Sequence, residues 1–92
     1  MDVYTQIAEK IIEQQEAIIG PVAVERAMQV KQLQINWPQH QIGLTGSPMT
    51  AIDELVEQYK ELFGQIAVET CKDAVASFTS KLTPEQLPTS LK

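Results

Sequence analysis

The chain has 92 residues, 43% of them hydrophobic and 21% charged, which is ordinary globular usage and leaves room for a single domain. Seven Lys and Arg against twelve Asp and Glu give a net charge of −5. The cations are scattered singly, so a nucleic-acid backbone or an anionic membrane surface meets long-range repulsion and no local basic patch.

Cys71 is the only cysteine, which rules out an intramolecular disulfide and fits a reducing cytoplasm. The opening MDVYTQIAEK has no basic stretch ahead of an apolar one, and no apolar run approaches the length of a span. Neither a signal peptide nor membrane insertion is expected. With two Phe, two Tyr and one Trp, the core must be built from Ile, Leu, Val and Ala.

In chain order, residues 4–19 place Tyr4, Ile7, Ala8, Ile11, Ile12, Ile18 and Ile19 at the spacing of an amphipathic helix. Gly20-Pro21 interrupts it, and Val22, Ala23, Arg26, Ala27 and Val30 continue the stripe as a second helical piece over 21–30. From Gln32 to Gly46 the period changes to two, through Leu33, Ile35 and Trp37 and then Ile42 and Leu44. That pattern predicts a β-hairpin with its loop around Pro38-Gln39-His40. The next helix opens either with Ser47 as N-cap and Pro48 at the first position, or at the capping box Thr50-x-x-Asp53.

Its apolar stripe runs from Ile52 to Phe63 and resumes from Ile66 to Leu82 in the same phase. A single helix over 48–82 would be roughly 50 Å long, more than a compact chain of this size can hold. Either Gly64 folds the helix back or the helix projects and is covered by another chain. These elements define an α+β fold, mostly helical, in the order α-α-β-β-α-α. Residues 1–82 form one domain and residues 83–92 a polar tail that adds a turn and frays.

Offsetting the chain by 44 residues lays EKIIEQQEAIIGPVAVERA (9–27) on DELVEQYKELFGQIAVETC (53–71). Glu13, Gln14, Gly20, Ala23, Val24 and Glu25 recur as Glu57, Gln58, Gly64, Ala67, Val68 and Glu69. Shared amphipathic periodicity accounts for the apolar matches, but not for a glycine followed by Ala-Val-Glu in both segments. The reading is an internal repeat of helix, glycine hinge and helix, with pseudo-twofold symmetry around the hairpin and the sharper bend at Gly20-Pro21.

Chemistry-bearing residues are few. His40 is the only histidine and lies thirty-one positions from the only cysteine, so neither a metal nor a cofactor is expected. Beside a turn it reads as an exposed loop residue, with a pH-sensitive contact or a haem ligand as the other use. Cys71 lies on an apolar stripe with Glu69 and Asp73 nearby, the setting of a small buried hydrophobe rather than a reactive thiolate. Trp37, next to Pro38, either folds onto the core or stands out as an interface anchor. Glu9, Glu13, Glu16, Asp53, Glu54, Glu57 and Glu61 read as solvated helix faces. No nucleotide, zinc-protease or hydrolase motif is present, and no enzyme is expected.

The functional expectation is a cytoplasmic, non-enzymatic protein-interaction module, an adaptor or regulatory subunit that works as a homodimer or higher oligomer. Trp37, Pro38 and His40 are its candidate interaction residues, and the protein partner is unidentified. Two features point to self-association: the open edges of an isolated hairpin, and apolar stripes longer than a small monomer can cover. The alternative is a small-molecule or cofactor sensor with a cavity between the helices.

Overall fold

A computed structural model describes residues 3–91. Helices α1 (Val3–Ile19) and α2 (Val22–Ala27) precede a hairpin of β1 (Leu33–Asn36) and β2 (Gln41–Leu44), and α3 (Pro48–Phe63) and α4 (Gln65–Thr79) follow it. The fold is α+β in the order α-α-β-β-α-α. Its extents of 32 × 26 × 20 Å leave no room for a continuous helix through Gly64.

Both glycines turn the chain. Gly20 and Gly64 have φ of 79° and 72°, and Gly64, with ψ −155°, sits in a region that is essentially closed to side chains. The hydrogen bonds around them match. Gly20 N–H donates to the Glu16 carbonyl at 2.9 Å and Gly64 N–H to that of Lys60 at 2.7 Å. Three residues on, Ala23 and Ala67 N–H donate to the two glycine carbonyls at 3.0 and 3.1 Å. The helix after Gly20 stops at Ala27, short of the 21–30 piece the stripe suggests, whereas the one after Gly64 runs on to Thr79.

The apolar stripes meet in one core. Ile7, Ile11 and Ile12 of α1 pack with Ala23 and Ala27 of α2, Ile52, Leu55, Val56 and Tyr59 of α3, and Val68, Cys71 and Val75 of α4. Tyr59, fully buried, donates its hydroxyl to the Ala23 carbonyl at 2.7 Å and so ties α3 to α2. The hairpin is antiparallel, with Leu33 opposite Leu44 and Asn36 opposite Gln41. Leu33, Ile35, Ile42 and Leu44 turn towards the core, and β2 lies against α1.

Ser47 caps α3, its Oγ accepting from Thr50 N–H at 3.4 Å with Pro48 at the first position, so the competing Thr50-Asp53 box is not used. Asp53 holds the C-terminal segment instead. Its Oδ1 accepts from Ser90 N–H at 2.9 Å and Ser90 Oγ at 2.6 Å, and the adjacent Leu91 is buried in the core. The segment after Thr83 therefore docks rather than frays, because buried Pro88 and Leu91, the two hydrogen bonds to Asp53 and a third from the Tyr4 hydroxyl to the Gln86 carbonyl at 2.6 Å anchor it. Lys92 lies outside the described residues.

Candidate functional site

The hairpin turn carries the three interaction residues expected from the sequence, and the structure separates their roles. Register pairs Asn36 with Gln41, leaving Trp37 to His40 as a four-residue connection built on a 3-10 turn. Trp37 is 7% exposed and belongs to the core, so it is not the exposed anchor that one reading of the sequence allowed. Pro38 sits in the same turn, and its side chain lies outside the described ones. His40 closes the turn in the left-handed region, φ 53°, with its N–H donating to the Trp37 carbonyl at 2.8 Å. Asn36 Nδ2 donates to Gln39 Oε1 across the turn.

His40 is exposed but engaged. Its ring stacks on Trp37 with centroids 4.0 Å apart and planes 16° from parallel. Its Nδ1 lies 3.0 Å from Glu13 Oε2 on α1, and Glu9, one helical turn earlier, completes a group whose ligand atoms lie within 4.8 Å of one another. Lys10 Nζ approaches Glu13 Oε1 at 3.6 Å. Desolvation, together with the hydrogen bond and charge of Glu13, raises the Glu9 carboxyl above its ordinary value. Desolvation also acts on Glu13, but hydrogen bonds from His40 and Glu9 and the Lys10 and His40 charges outweigh it and hold that carboxyl down. Two acids that read as solvated surface are thus a close pair facing an imidazole. Beside them Gln6, Glu9, Lys10, Glu13 and Phe78 line a cleft of about 240 Å³.

No protein-family model, curated protein or solved structure matches the chain. Its own surfaces and side chains carry the functional reading.

The second feature lies at the corner where both hinges turn. Ile18 and Ile19 end α1, Phe63 ends α3, and Ile66, Ala67 and Thr70 begin α4; with Gln15 they line an open groove of about 260 Å³. Ile66 is 71% exposed, Ile18 57% and Phe63 47%, with the neighbouring Leu62 at 38%. None of the lining residues is charged. Gln15, itself buried, donates from Nε2 to Cys71 Sγ at 3.5 Å, and burial pushes the Cys71 thiol up to about 11. That environment suits an inert thiol.

Sequence reasoning singled out His40 but found neither its acidic companions nor the apolar corner. His40 showed no companions because Glu13 and Glu9 lie 27 and 31 positions upstream and meet it only when the hairpin folds onto α1. The corner residues read as core because they sit in phase with the stripes. The one signal available was position: the exposed apolar residues Ile18, Leu62, Phe63 and Ile66 each fall within two residues of a glycine hinge.

Proposed function

We propose that the protein is a non-enzymatic, cytoplasmic interaction module that pairs with a second copy of itself through the apolar corner between the hinges. The observation that carries this is the cluster of Ile18, Phe63 and Ile66, each about half exposed or more around one uncharged groove; with Val22 and Leu62 beside the hinges they make up all the large exposed hydrophobics among the described residues except Met28. A protruding Ile66 beside a groove on the same face is self-complementary, as a twofold contact requires: each copy offers the knob and receives the other's. Such a contact holds by apolar burial alone, working against the mutual repulsion of two chains of net charge −5.

The magnitude points to a weak dimer. Covering the exposed fractions of Ile18, Leu62, Phe63 and Ile66 is worth roughly 3–6 kcal/mol per chain, taking about 1.5–3 kcal/mol for a whole side chain. Twice that, set against an association cost of about 4–15 kcal/mol, leaves about 8 kcal/mol at most, so micromolar is the tightest pairing this corner supports. Among the described residues no helix is long and apolar enough to cross a membrane.

Sedimentation equilibrium over a broad concentration range tests the reading. The mass should rise from 10.3 kDa to twice that value, and Ile66→Asp should hold it at the lower one. A carboxylate in the first turn of α4 is favourable to the helix, so the variant should keep its circular dichroism. A wild-type mass of 10.3 kDa at every concentration, with an apolar dye bound at the corner, would refute self-association and assign the groove to a small apolar ligand.

A further inference from the structure

We propose that Glu9, Glu13 and His40 form a binding site for a divalent transition-metal ion of the Zn²⁺ class. Two carboxylates a turn apart on a helix would by themselves be ordinary surface. What distinguishes this group is an imidazole nitrogen delivered to them from a different element, the hairpin turn, so that donors remote in sequence converge within 4.8 Å.

The donor set selects the class of ion. One imidazole with two carboxylates suits zinc, cobalt or nickel, whereas calcium and magnesium prefer oxygen ligands alone. The geometry is close to what such an ion needs. Tetrahedral bonds of about 2.0–2.1 Å place neighbouring donors roughly 3.3 Å apart. His40 Nδ1 and Glu13 Oε2 already lie 3.0 Å apart, and small rotations of half-exposed side chains close the remainder.

Two features of the surroundings support the site, and a third competes with it. The face of the His40 ring is packed on Trp37, a buried side chain that limits its rotation, and a ligand held in its binding orientation loses less on coordination. The cleft lined by Gln6 and Phe78 opens onto both carboxylates and leaves space for water or another donor to complete the shell. Lys10 marks the place where positive charge settles: its ammonium stands 3.6 Å from Glu13 on a side chain that is 52% exposed and free to swing away. A doubly charged ion would displace it. Lys10 is thus a built-in competitor, and its removal should tighten binding.

Trp37 is the only tryptophan and is stacked on the proposed ligand, so its emission reports the site directly. Titration with Co²⁺ should quench it at one ion per chain, and excess Zn²⁺ should restore it while Mg²⁺ and Ca²⁺ do not. His40→Ala, Glu13→Gln and Glu9→Gln, each checked for an unchanged circular dichroism spectrum, should weaken Zn²⁺ binding by about tenfold or more. Lys10→Met should strengthen it. The proposal fails if Zn²⁺ shows no saturable binding, if Co²⁺ binds without quenching Trp37, or if His40→Ala binds as tightly as the wild type. In the last case the metal is held elsewhere, and the His40–Glu13 contact is an ion pair that pins the turn to α1.

Discussion

Cys71 is fully buried on α4, where burial disfavours its thiolate and raises the thiol from 9.0 to about 11, with the Gln15 hydrogen bond pulling the other way. In the unfolded chain the same group titrates near its ordinary value. Between the two values the unfolded state gives up its proton while the folded state keeps it. The contribution to stability is therefore complete below pH 9 and declines as the pH rises toward 11. Linkage over that interval gives a loss of about 2 kcal/mol on moving from about pH 7.5 to about pH 10.5. The assay is urea denaturation of the wild type and Cys71→Ala at both pH values. The alanine removes a hydrogen-bonded sulfur and leaves a small void, but that cost is the same at each pH and cancels when each protein is compared with itself. Tyr59, also raised above its ordinary value by burial and then by the nearby Cys71 and Glu16, weakens both proteins in the same direction. The wild type should thus lose about 2 kcal/mol more than the variant. Equal losses would show that the thiol titrates normally in the folded chain and that the packing described around it is wrong, as would rapid reaction of native Cys71 with a disulfide reagent near neutral pH.

Tyr59→Phe removes the hydroxyl that links α3 to the Ala23 carbonyl at 2.7 Å, and should cost about 1–2 kcal/mol, read calorimetrically as a fall of about 5–10 °C in Tm. An unchanged Tm would mean that this bond is not made. Deleting residues 84–92 removes buried Leu91 and both Ser90 bonds to Asp53, and should lower stability in urea by about 2–4 kcal/mol. A full-length midpoint in the truncated protein would show that the segment is dispensable.

Local signals fixed most of the elements. The 3.6-residue stripes located α1 and α3, the period of two located the hairpin, and Ser47-Pro48 gave the start of α3 because cap and proline chemistry act within four residues. Contacts across the chain were not legible. Nothing in TPEQLPTSLK announces that Ser90 meets Asp53, since the capping preference of a carboxylate does not name a donor 37 positions away. His40 is a further case. Left-handed turn positions usually carry glycine or asparagine, so a histidine there gave no sign that its ring would face α1. Trp37 continued the alternation of β1, yet the strand ends at Asn36 and the ring packs inward from the turn.

The hinges account for the exposed corner. An amphipathic stripe that continued straight through Gly20 or Gly64 would stay on the core side, but at each glycine the chain turns, and the residues flanking the turn are carried out to the surface. The pairs Ile18 and Leu62, Ile19 and Phe63, and Val22 and Ile66 stand at the same 44-residue offset, and five of these six are large exposed hydrophobics. Polar residues there would cost the fold little and would improve solubility, so an apolar corner is best explained by an occupant. The proposed second copy brings a diagnostic of its own. Two chains of net charge −5 repel, and the groove has no charged residue with which to offset that repulsion. Screening should remove the opposing force and leave the apolar attraction intact, so raising salt from about 0.01 M to about 1 M, where the Debye length shrinks from about 30 to about 3 Å, should strengthen pairing. Sedimentation in the two buffers reads this directly. A dimer that dissociates in high salt would be held by ion pairs, and the interface would then have to lie away from the hinge corner.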